Sequence, residues 1–152
     1  MGYYVTGEGS IIIPADKLDA AYDALVELNR RDDLKTGGRY GGEPTSKPAN
    51  STSVSDSPDK WFAWMDWNYD EIFTDAKGIL EAVGFEISDF GDGIELKYYD
   101  DKTGGEEHFV RAIAAYVDPE SEMVWTGEDG EKWRWVFENG EMNIQQAIIT
   151  WD

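Results

Sequence analysis

Residues 3–13 alternate loosely between apolar and polar positions and close on Ile11, Ile12 and Ile13, a pattern that predicts a strand. Pro14 follows, at a position where a first helical residue tolerates a missing N–H. From Ala15 to Arg31 the period changes. Leu18, Ala21 with Tyr22, Leu25 and Leu28 recur at steps of three and four and predict a helix with one buried face. Asp16 and Asp19 near its start and Arg30 and Arg31 at its end complement the helix dipole. Further on, Trp61–Met65 reads as a buried strand, and a helix is expected from Asn68 or Thr74 to Val83, with Thr74 as N-cap and Gly84 as its stop. Phe85-Glu86-Ile87 and Ile94–Tyr99 flank Gly91-Asp92-Gly93, a hairpin signature. Phe109, Ile113 and Val117 mark a third helix over Gly105–Val117, ended by Pro119.

Three strands are expected to close the chain, about Glu122–Thr126, Glu131–Phe137 and Glu141–Thr150. The turns between them, Glu128-Asp129-Gly130 and Asn139-Gly140, hold residues that tolerate positive φ. The order β-α-β-α-β-β-α-β-β-β predicts an α+β fold: a single, mostly antiparallel sheet with about three helices packed on it.

Between Asp32 and Asp59 the periodicity disappears into Gly, Pro, Ser, Thr and Asn. The 31 residues before this stretch are too few to fold alone, so residues 1–152 are expected to form one domain with a long mobile loop at about 32–59. No run approaches the roughly 20 apolar residues of a membrane span and no basic leader precedes the first strand, so the default expectation is a cytoplasmic protein.

Charge sharpens this picture. The 152 residues hold 13 Lys and Arg against 32 Asp and Glu, a formal net charge of −19. Residues 1–60 carry 10 acids and 7 bases; the other 22 acids and 6 bases follow. Such a balance argues against direct nucleic-acid binding, which needs a basic footprint. It also exceeds the net charge of roughly 2–8 that solubility requires. Eight Lys against five Arg, together with 11 Ile, argue against salt adaptation as the cause.

Candidate catalytic chemistry is sparse. With no Cys there is no disulfide framework, thiolate zinc site or Cys nucleophile. His108 is the only imidazole, no Gly-x-Ser-x-Gly turn accompanies it, and no calcium-loop spacing survives inspection at Asp100 or Asp118. Asp89-Phe90-Gly91 lacks every other part of a kinase and reads as the approach to a turn. No catalytic residue, metal site or cofactor is therefore assigned.

The carboxylates form a pattern of their own. Asp16, Asp19, Asp23 and Glu27 step by three, four and four, one ridge of the first helix with a rise of about 5–6 Å per step. That spacing imitates phosphates along a strand. Glu128, Asp129 and Glu131 add a second acidic cluster at a turn. These seven residues are the candidate contacts for a basic protein partner. Of the seven Trp, Trp133 and Trp135 share a strand face with Phe137, as core or as an interface anchor.

The segments WFAWMDWNY, ILEAVGFE, KYYDDKTGGEEHFVRAIAAYV and WTGEDGEKWRWVFENGEM, with the opening MGYYVTGEGSI, resemble uncharacterised small acidic proteins of actinobacteria and their phages. The resemblance covers about residues 60–142 and implies a phage or mobile-element accessory protein, without catalytic residues to carry over. The resulting expectation is a non-enzymatic, DNA-mimic-like protein that binds or inhibits a basic, nucleic-acid-binding partner. An immunity protein against a basic nuclease toxin is one alternative. A hydrolase using carboxylates or His108 is another.

Overall fold

The computed structural model describes residues 2–39 and 41–147. The chain opens with strand β1 (Tyr4–Pro14), a 3-10 turn (Ala15–Lys17) and helix α1 (Leu18–Leu28). A second 3-10 turn (Asp32–Leu34) precedes the two-residue strands β2 (Gly37–Gly38) and β3 (Lys60–Trp61). Helices α2 (Tyr69–Ile72) and α3 (Ala76–Val83) lead to the hairpin β4 (Phe85–Asp89) and β5 (Gly93–Lys102). Helix α4 (Glu106–Ile113), extended by a 3-10 turn (Ala114–Tyr116), precedes the meander β6 (Glu122–Gly127), β7 (Lys132–Glu138) and β8 (Glu141–Gln146). The expected continuation of the last strand over 148–150 lies outside the described residues.

Six strands form one antiparallel sheet in the order β4-β5-β1-β6-β7-β8, as the α+β reading anticipates. β5 and β6 flank β1, so the connection carrying α4 passes over it. Alternation assigns the faces within each run, and an irregularity in the β1–β5 and β4–β5 pairing between Leu96 and Tyr98 keeps both Leu96 and Tyr99 on the buried side. Val5, Gly7, Ile11 and Ile13 of β1 are buried with Leu96, Tyr99, Met123, Trp125 and Trp135, while Glu8, Glu86, Val124 and Arg134 lie in the wet, opposite face. Leu25, Ile79, Leu80, Phe109 and Ile113 complete the same core from the helices. Among the described residues, no helix is long and apolar enough to cross a membrane.

The hairpins follow their residue chemistry. Asn139 and Gly140 both have positive φ (54° and 77°), as a two-residue turn between twisted strands demands. Between β6 and β7, Gly130 N–H donates to the Gly127 carbonyl at 2.9 Å, and Gly130 takes φ 86°.

Three expectations need correction. Pro14 ends β1, and the Ala15 N–H donates to the Asp92 carbonyl at 2.8 Å, so α1 begins only at Leu18. Trp61–Met65 is not a strand beyond Trp61. Met65 N–H donates to the Phe62 carbonyl and Trp64 has φ 48°, and this turn sends both Phe62 and Met65 into the core. Alternation could not bury two residues three apart. The helix expected to end at Val83 is broken in two, and Asp75, not Thr74, caps α3 by accepting from Gly78 N–H at 2.7 Å.

The 32–59 stretch is irregular for most of its length, yet it is anchored in the middle. Buried Asp70 of α2 accepts from Ser53 O–H at 2.6 Å, Val54 N–H at 2.8 Å and Asn29 Nδ2 at 2.8 Å. Beside it, Glu71 accepts from Asn68, Thr52 and Ser51. These donors hold its carboxyl down to about 2, the Asn68 amide contributing most, then the Thr52 N–H and the Ser51 hydroxyl. Because the folded value lies below the usual 4.5, the bonds stabilise the anchor fully above that pH and fade as pH falls towards 2. Hydrogen exchange at the Thr52 amide should therefore be faster in Glu71→Gln at pH 7, with the difference closing near pH 2. Equal exchange at pH 7 would mean that Glu71 holds nothing.

Candidate functional site

The two acidic groups singled out above belong to different parts of the molecule. α1 carries Asp19, Asp23 and Glu27 at four-residue steps on its exposed side, opposite buried Ala21, Leu25 and Leu28. Asp16 is also exposed but lies in the 3-10 turn before the helix, so it continues the ridge without the α-helical spacing. Glu27 pairs with Arg30 at 2.9 Å. Asp16, Asp19 and Asp23 have no ion-pair partner among the described residues. Among the described residues seven ion pairs, each using a different carboxylate, leave most acidic side chains without an ion-pair partner.

Glu128, Asp129 and Glu131 sit at the other end of β1, where four segments converge. The Thr103 N–H donates to the Tyr3 carbonyl at 2.7 Å, the Glu128 N–H to the Tyr4 carbonyl at 3.0 Å, and the Tyr4 N–H to the Glu128 carboxylate at 2.9 Å. The Tyr3 hydroxyl donates to Glu131 at 3.0 Å. The start of β1, the end of β5, the β6–β7 turn and the N-terminus of α4 are thereby locked together. Asp16 follows the opposite end of β1, so the seven candidate residues do not make one patch.

At this locked end the sheet opens into a cavity of about 270 Å³. Trp125, Trp133 and Trp135 form its aromatic wall, and Glu106, Glu107 and Glu131 supply its charge. Trp125 faces Trp133 across the β6–β7 pair and lies 4.5 Å, centroid to centroid, from Trp135. Gly7 makes this packing possible, since a Cβ there would come within 2.9 Å of the Trp125 ring. Glu106 is buried, and its carboxylate accepts from the Thr103 hydroxyl at 2.6 Å and the Gly104 N–H at 2.6 Å, a local lock on the first turn of α4. Glu107 pairs with Arg111 at 3.0 Å. The Trp125 indole N–H is buried without an acceptor among the described residues. Glu131 was legible as a candidate. Glu106, Glu107 and the convergence of three indoles were not, because the residues come from β6, β7 and α4 and only the sheet register brings them together.

His108 lies elsewhere, half-buried, with its ring 6.2 Å from that of Phe62. It lines a groove of about 770 Å³ between α1 and α4 together with Arg30, Arg31 and Arg111. Each of these arginines is paired with a carboxylate (Glu27, Asp33 and Glu107), and His108 makes no hydrogen bond among the described residues. The groove brings His108 no aligned serine–carboxylate pair. Among the described residues, no group of three or more His, Asp or Glu is placed to hold a metal ion.

Comparison with protein-family models, with curated proteins and with solved structures finds no match for this chain.

Proposed function

We propose that this chain is a non-enzymatic interaction protein, encoded by a phage or mobile element, that binds and occupies a basic, nucleic-acid-binding protein. The observation that carries this reading is the uncompensated ridge of Asp16, Asp19 and Asp23 on the exposed side of α1 and the turn before it. A net charge of −19 on 152 residues works against its own compact state through self-repulsion. A basic partner relieves that repulsion, and the rise of about 6 Å between Asp19 and Asp23, one four-residue step of α1, suits a surface shaped for phosphates. The resemblance of residues 60–142 to uncharacterised small acidic proteins of actinobacteria and their phages bears only on the phage or mobile-element origin.

The test uses the whole chain, immobilised, against a bacterial lysate at about 50 and 300 mM salt, beside the triple variant Asp16→Lys, Asp19→Lys, Asp23→Lys. A basic protein should be held by the unmodified chain at low salt, released at high salt, and retained at least about tenfold less by the triple variant. Retention that ignores both salt and the substitutions would end this reading. A retained nuclease encoded beside this chain would identify the same surface as that of an immunity protein.

A further inference from the structure

The cavity at the start of β1 supports an inference that does not depend on the acidic ridge. Its wall combines three indoles with three carboxylates and contains no Lys, Arg or His side chain. Glu106 and Glu131 are held by neutral donors, the Thr103 hydroxyl and Gly104 N–H for one and the Tyr3 hydroxyl for the other. Neither negative charge is cancelled by its partner. Glu107 is offset by Arg111. An anion would meet those carboxylates head-on. A neutral polyol can donate to those carboxylates and stack on an indole, but it gains no charge attraction from either, whereas a cation gains it from both.

A cation with an apolar periphery satisfies both parts of the wall. Indole is the strongest of the aromatic side chains in attracting a cation to its face, and carboxylates complete the attraction. About 270 Å³ is smaller than drug-sized pockets of about 300–1,000 Å³, which restricts the cavity to a small head group.

We propose that this cavity binds an alkylammonium head group, with Trp125, Trp133 and Trp135 as the aromatic wall and Glu106 and Glu131 as counter-charges. The head group can belong to a free small amine or to a lysine side chain.

Titration of the full chain with choline chloride, followed by tryptophan fluorescence, tests this against 3,3-dimethyl-1-butanol, its uncharged carbon isostere, and against sodium chloride. Choline should give a saturable change, and the isostere should bind at least about tenfold more weakly. Trp133→Leu and Glu131→Gln should each weaken choline about tenfold, with far-UV circular dichroism showing both variants folded. Trp133 is half-buried and Glu131 exposed, so both substitutions spare the centre of the core. Isothermal titration calorimetry repeats the Trp133→Leu measurement without relying on the indole signal. N-acetyl-lysine-methylamide separates the sources: tighter binding than choline assigns the cavity to a partner's lysine, and weaker binding assigns it to a free amine. Equal binding of the isostere, no saturation, or two folded variants that bind like the parent would overturn the proposal. None of these outcomes bears on retention of a basic protein by the α1 ridge.

Discussion

Asp70→Ala should lower the unfolding free energy by about 3–5 kcal/mol, as measured by urea denaturation. Asp70 is 8% exposed and accepts three hydrogen bonds from two distant parts of the chain, Asn29 at the end of α1 and Ser53 and Val54 of the long irregular segment. Removing the carboxylate leaves the Ser53 hydroxyl and the Val54 N–H without acceptors in a place water reaches poorly. Each orphaned donor costs about 1–3 kcal/mol, and bonds to a charged group stand at the upper end. The Asn29 amide keeps one partner, the Trp67 carbonyl at 2.9 Å, so its share of the loss is smaller. Against a typical total stability of about 5–15 kcal/mol this is a large fraction. The loss should be accompanied by faster hydrogen exchange at Val54. Asp70→Asn should fall between the parent and the Ala variant, because one oxygen survives to accept. A cost for Asp70→Ala below about 1 kcal/mol would show that the segment is not held by this carboxylate.

Trp125→Ala is the second large effect, about 3–5 kcal/mol and a fall in Tm on the order of 10 °C. Trp125 is 1% exposed and packs on Tyr99 at 5.4 Å, Phe85 at 6.4 Å and Trp135 at 4.5 Å between ring centroids. Truncation removes the largest fully buried side chain and leaves a cavity that the paired strands β1 and β7 are too constrained to fill. Trp125→Phe should cost less, since it keeps a ring in the cluster and removes the indole N–H that lacks an acceptor. Thermal unfolding followed by circular dichroism checks both, because it does not depend on tryptophan emission. A Trp125→Ala protein that melts within about 2 °C of the parent would mean that this cluster is not the centre of the core.

Much of this architecture was legible from residue pattern because it is set by local physics. The Asn139-Gly140 turn, the stop at Gly84 (φ 131°) and the apolar face of α1 each depend on neighbours a few residues away. The acid surplus and its ridge on α1 were equally plain, since four-residue steps on a helix share a face whatever the helix packs against. The errors fall where a distant contact outweighs local preference. Trp61–Met65 has the composition of a strand, yet Phe62 packs on Tyr69 and Phe109, and the chain turns to allow it. Composition likewise does not reveal that Ser51 and Thr52 bond to Glu71 and Ser53 and Val54 to Asp70.

The sequence by itself determined the antiparallel α+β class, the hairpins, the helix faces and the acid surplus, because each is a matter of periodicity, turn chemistry or counting. Only the tertiary structure decided that Glu131 meets Tyr3, 128 residues earlier, and that indoles from β6 and β7 meet the carboxylates of α4 around one cavity. Strand order and register fix those meetings, and both arise from the burial of the whole apolar face at once, which no window of neighbouring residues contains.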